Sequence, residues 1–130
     1  MLKKIIFLSS MLCFASLSCA NGITSDNGTL MIAFEQPLNK VKIHDIVDID
    51  FTVHTSGESP VSGLKFNVEA GMPGHGHGMP TSPFVEEQAN GGYILRGVSF
   101  SMRGEWLLVL KVNNDPYSAV RFTIPLNIEP

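Results

Sequence analysis

From Thr29 onward the chain runs in short stretches whose apolar residues recur at every second position, separated by clusters of Gly, Pro, Asn and Ser. A period of two places alternate side chains on opposite faces of a strand, so the pattern builds half-buried β-strands and fails as a helix. The clearest case is 47–54, where Val47, Ile49, Phe51 and Val53 alternate with Asp48, Asp50, Thr52 and His54. Leu64, Phe66 and Val68 alternate with Lys65, Asn67 and Glu69 in the next stretch, and Phe122, Ile124, Leu126 and Ile128 recur in the last. Pro125 has no N–H to give a ladder, which points to an edge position or a bulge there. Between 105 and 112 both parities are apolar, with Trp106, Leu108, Leu110 and Val112 on one and Leu107 and Val109 on the other. A strand covered on both faces is a central one. Stretches 93–102 and 30–35 complete the set, and Asn113-Asn114-Asp115-Pro116 makes the turn before the last strand. The expected fold class is all-β, an immunoglobulin-like antiparallel β-sandwich of about seven strands.

With 44% hydrophobic and 16% charged residues among 130, the chain has material for one core and lacks the charge-rich balance of a disordered segment. The polar stretch Asn21–Gly28, NGITSDNG, reads as a flexible lead, which leaves 29–130 for the sandwich. The first twenty residues differ in kind. Lys3 and Lys4 precede the apolar Ile5–Ala15 and the small-residue Ser16–Ala20, the three regions of a secretory signal peptide. The apolar run is shorter than the roughly 20 residues that span a bilayer, so no integral span is expected in the mature chain. Ser18 and Ala20 suit cleavage after Ala20. Alternatively, Ser18-Cys19 matches the end of a lipoprotein box, with Leu17 one residue later than such boxes place it, and Cys19 would be lipidated. On either route the only two cysteines, Cys13 and Cys19, leave no thiol for a disulfide or for catalysis in the domain. The expected location is the periplasm or another exported compartment, with membrane attachment on the lipoprotein route.

Nine basic residues against twelve acidic ones give a formal charge of -3, and removal of Lys3 and Lys4 makes the exported chain more acidic still. Without a basic footprint the chain is not expected to bind nucleic acid. A mildly acidic surface weakly favours cations and basic partners.

The chemistry concentrates in residues 71–80, GMPGHGHGMP, which hold two of the four histidines and two of the six methionines. Histidines at i and i+2 of an extended segment project to one side, so His75 and His77 are placed to converge on one ion, with Met72 and Met79 flanking them. Neutral imidazole suits copper, zinc and nickel, and a soft thioether adds preference for Cu(I), so the mixed set favours copper over zinc. Met102, at the end of a strand reaching the same rim, is a further candidate ligand. Metal binding of this kind requires neutral imidazole and weakens in acid. The competing reading makes the glycines and prolines a tight connection and the methionines apolar filler at the end of the sandwich. The loop would then contact an envelope protein partner and hold no metal.

The remaining residues offer less. His54 falls on the polar face of its strand and His44 in a turn, so both are expected to be solvated. Asp48 and Asp50 share an exposed strand face, as any half-buried strand arranges its polar residues. HExxH, GxSxG and phosphate-binding glycine loops are all absent from the sequence, and no enzyme is expected. Phe84, Tyr93, Phe100 and Trp106 are expected in the core, with the Trp106 N–H on a backbone partner.

The motif MPGHGHGMP, followed by Gly91-Gly92-Tyr93 and then by Phe100-Ser101-Met102-Arg103-Gly104-Glu105-Trp106, resembles the YtkA-like and FixH-like group of small exported β-sandwich domains over roughly residues 60–112. The resemblance implies an immunoglobulin-like periplasmic domain of the kind found near copper handling and respiratory-oxidase assembly. Its implied metal positions are His75, His77, Met72, Met79 and Met102. FixH proteins proper keep a transmembrane anchor, whereas here only a signal peptide is expected. The domain is also similar to copper-resistance sandwich proteins, whose N-terminal histidine Asn21 does not reproduce.

Overall fold

The computed structural model of the protein describes residues 22–129. The signal peptide expected over 1–20, the lipidation expected at Cys19, and Asn21 lie outside the described residues. Nine strands follow in order: β1 (Ile23–Thr24), β2 (Leu30–Phe34), β3 (Val47–Thr55), β4 (Phe66–Met72), β5 (His77–Gly78), β6 (Phe84–Glu87), β7 (Gly92–Val98), β8 (Gly104–Val112) and β9 (Arg121–Ile128). They form two antiparallel sheets, in the orders β1-β2-β3-β7-β6 and β5-β4-β8-β9. This is the β-sandwich that the alternating pattern requires. Seven strands of four residues or more carry it, while β1 and β5 have two residues each, too few to show a period. No helix among the described residues is long and apolar enough to cross a membrane.

β3 lies inside the first sheet, with Ile49, Phe51 and Val53 buried and Asp48 and Asp50 exposed. The Phe51 ring meets those of Phe34 at 5.3 Å and Tyr93 at 5.4 Å in its own sheet. It also meets Phe66 of the opposite sheet edge-on at 5.9 Å. These contacts bury apolar area and set the offset and edge geometries that aromatic pairs prefer. The Tyr93 hydroxyl donates to the Val61 carbonyl at 2.7 Å and accepts from the Leu64 N–H at 3.2 Å, pinning the crossover between the sheets.

β8 is flanked by β4 and β9, the central position its two apolar parities demand. Trp106, Leu108, Leu110 and Val112 face the core, and Val109 is buried on the other face. β9 is an edge strand, which accommodates Pro125 opposite Leu107. In the turn after β8, the Asn114 side chain accepts from the Lys65 N–H at 2.9 Å and donates to the Gly63 carbonyl at 2.8 Å.

Two boundaries differ from those the pattern suggests. Residues 23–28 are paired with the sandwich instead of leading up to it. Ile23 lies opposite Ile32, Ser25 is buried, and the Asp26 N–H donates to the Arg121 carbonyl at 2.8 Å. One apolar residue at the right register is enough to dock an otherwise polar stretch. β7 stops at Val98, short of Met102, because residues 99–103 bend to begin the passage into the second sheet.

Candidate functional site

Strand direction gathers several loops at one end of the sandwich. β4 runs toward this end and β8 starts from it, since Gly71 lies opposite Leu107. β3 starts and β7 finishes there, since Val47 lies opposite Val98. The loop before β3 and the one after β7 touch through the His44 N–H, which donates to the Phe100 carbonyl at 2.9 Å. Loops 35–46, 73–76 and 99–103 therefore share one pole.

The histidine loop is the tip of a β-hairpin. Gly71 pairs with Gly78 and Met72 with His77, and residues 73–76 form the turn. The N–H groups of His75 and Gly76 both donate to the Met72 carbonyl at 3.1 Å, closing it. Gly71 is required by close approach, because a Cβ there would stand 2.9 Å from the His77 carbonyl oxygen. His75 thus sits in the turn and only His77 on a strand, yet their rings lie side by side, centroids 6.4 Å apart with planes inclined by 26°. Both side chains are exposed.

The methionines divide differently. Met72 shares the inward parity of Phe66, Val68 and Ala70, is 2% exposed and belongs to the core cluster. Its methyl group lies against Gly104, where an added Cβ would meet it at 3.2 Å. Met79 is partly buried against the same core. Met102 is 42% exposed in the bend between β7 and β8, at the hairpin's pole. Its carbonyl accepts the Trp106 Nε1–H at 3.0 Å, and the Trp106 ring packs edge-on against Phe100 at 5.2 Å. The expected backbone partner of Trp106 is thus the Met102 main chain. The structure brings His75, His77 and Met102 to one exposed pole and places Met72 inside. The parity of 66, 68, 70 and 72 already carried that signal in the sequence.

Among the described residues no three His, Cys, Asp or Glu side chains group in a way that could hold a metal ion. His77 shares a shallow depression on the outer face of the second sheet with Pro73, Leu107, Val109, Glu69 and Arg121. Glu69 is engaged there by Lys111 at 2.8 Å, and that ammonium holds its carboxyl below the usual carboxylate range. Asp48 and Asp50 form no acid pair. Asp48 accepts the Gly97 N–H at 3.0 Å and an Arg96 N–H at 2.9 Å, and these bonds, the first foremost, lower its pKa. Phe84 is not in the core. It is 57% exposed at the start of β6, and with Ile46 at 68% and Met102 it makes up the exposed large apolar side chains among the described residues. Phe84 lies opposite Arg96, two residues from the end of β7, so all three belong to the hairpin's half of the molecule.

Fold and site together define a small antiparallel β-sandwich that carries a histidine hairpin at one pole. The family model for YtkA-like domains matches residues 24–111, and the chain belongs to that family. No curated protein matches the chain.

Proposed function

We propose that the protein is an exported, non-enzymatic binding module that binds or delivers copper through the hairpin at 71–80. The observation that carries this reading is the pair of exposed imidazoles, His75 and His77, held side by side on a hairpin whose backbone is fixed by pairing to β4. Neutral imidazole is a copper ligand, and the hairpin already orders the two residues. The signal-peptide pattern of residues 1–20 supports an exported, periplasmic location, with a lipid on Cys19 as the membrane-attached variant.

The test is a titration with Cu(I) and Cu(II) against a competing chelator, run on the protein and on a His75→Ala/His77→Ala variant. Stoichiometric binding that the variant lacks is expected, and its affinity falls as the pH is lowered into the range where imidazoles protonate. Equal behaviour of the two proteins overturns the reading.

A second reading, an envelope interaction domain without a metal, is favoured by Ile46, Phe84 and Met102, exposed around the same pole. Exposed apolar side chains mark a protein contact where they gather into one patch. Binding of that kind survives the double histidine substitution and is indifferent to imidazole titration.

A further inference from the structure

The copper reading leaves open how many ligands the chain itself supplies, and the packing of the methionines bears on that number. A thioether can bind an ion only if its sulfur reaches the surface where the ion sits. Met72 has its side chain in the core with its methyl on Gly104, and it lies in the inward row with Val68 and Ala70. Turning it outward would empty a site in a close-packed interior, at the cost of the packing that fills it. Met79 packs against the same core. Among the described residues no carboxylate or further imidazole joins His75 and His77 in a metal-holding group.

Two exposed imidazoles with centroids 6.4 Å apart are close enough to share one ion, and they make a small ligand count. Copper(I), a soft ion, tolerates such low coordination, whereas zinc takes four ligands and copper(II) favours square-planar or tetragonal sets.

We infer that His75 and His77 are the whole of the chain's ligand set, that the ion they hold is copper(I), and that its remaining coordination is left open for a sulfur donor, thiolate or thioether, from a second molecule. The inference rests on the copper reading and deepens it. The methionines then have other roles: Met72 and Met79 hold the hairpin to the core, and Met102, exposed in the 99–103 bend, does not line the depression that His77 shares.

X-ray absorption of the copper(I)-loaded full chain tests this, with Cys13→Ser and Cys19→Ser introduced so that no leader thiol binds the ion. The expected spectrum has two nitrogen scatterers and no sulfur, unchanged in Met102→Leu and Met79→Leu. Added N-acetylcysteine or N-acetylmethionine is expected to contribute one sulfur without stripping the copper. A sulfur shell before any addition, lost in Met102→Leu or Met79→Leu, overturns the inference while leaving the copper reading standing. Copper(I) binding that persists in the His75→Ala/His77→Ala variant overturns both. Stripping of the ion by either probe without a mixed-ligand spectrum overturns the open-coordination part.

Discussion

Two buried side chains hold main-chain groups that nothing else satisfies, so their removal has a cost that burial alone does not measure. Tyr93 is 1% exposed, and its hydroxyl serves both the Val61 carbonyl and the Leu64 N–H. Burial raises its pKa, the Leu64 bond opposing, so the group stays neutral across the working range. Tyr93→Phe keeps the ring and leaves the two backbone groups unpaired, and a loss of about 1–3 kcal/mol is expected in chemical denaturation. Trp106 fills the core beneath the hairpin, and Trp106→Ala is expected to cost about 3–5 kcal/mol by the same measurement. A near-silent result would mean that the pole can collapse around the missing ring. His75 and His77 are the contrast. They are exposed and bonded to the fold only through their main chain, so changing both to alanine should shift the stability of the ion-free protein by no more than about 0.5 kcal/mol.

At the scale of elements, the hairpin depends on one glycine. Gly71→Ala places a Cβ against the His77 carbonyl oxygen, so β5 must move off β4. Weakened copper binding with little change in the overall unfolding midpoint is expected, measured by the same chelator competition and by thermal melting. On the first sheet, Arg96 of β7 bonds Glu86 of β6 at 2.8 Å and Asp48 of β3 at 2.9 Å, lacing three strands. Asp48 is bound more tightly when charged, mainly by the Gly97 N–H and then by Arg96, so its folded pKa lies below its unfolded one. Its contribution is present above the ordinary aspartate value of 3.8 and is lost as the pH falls through the lower folded value. An Asp48→Asn variant should therefore melt below the native protein at neutral pH, and the gap should close in acid. The elements legible in the sequence were those long enough to show a period. β3 and β8, nine residues each, display one, and the doubled parity of β8 also marks it as central. β6, four residues reading FVEE, and β5, two residues reading HG, are defined by what they pair with, which composition does not record. The candidate site was legible to the same degree. The density of His and Met in 71–80 located it, and the parity of 66, 68, 70 and 72 marks Met72 as inward, but the role of Gly71 rests on a contact across the hairpin that no pattern records.

At the scale of the whole molecule, residues 22–129 contain no cysteine and are held by their core without covalent staples. With both cysteines in the first nineteen residues, the domain unfolds as a hydrophobic and hydrogen-bonded unit, and no buried side-chain polar atom among the described residues lacks a partner. Its melting temperature should be the same with and without reductant, a direct calorimetric check. The two ends of the sandwich are unequal. One bears the hairpin and the exposed Ile46, Phe84 and Met102, and the other is closed by polar turns such as 113–116. That asymmetry places the only tryptophan where an observer would want it. Trp106 lies under the hairpin's pole, its indole N–H tied to the Met102 carbonyl. A displacement of the 99–103 bend breaks that bond and changes the indole's surroundings. Intrinsic fluorescence therefore offers an optical reporter already built into the chain. It follows unfolding when the whole molecule melts, and at lower temperature it follows events at the pole where an ion or a partner would arrive.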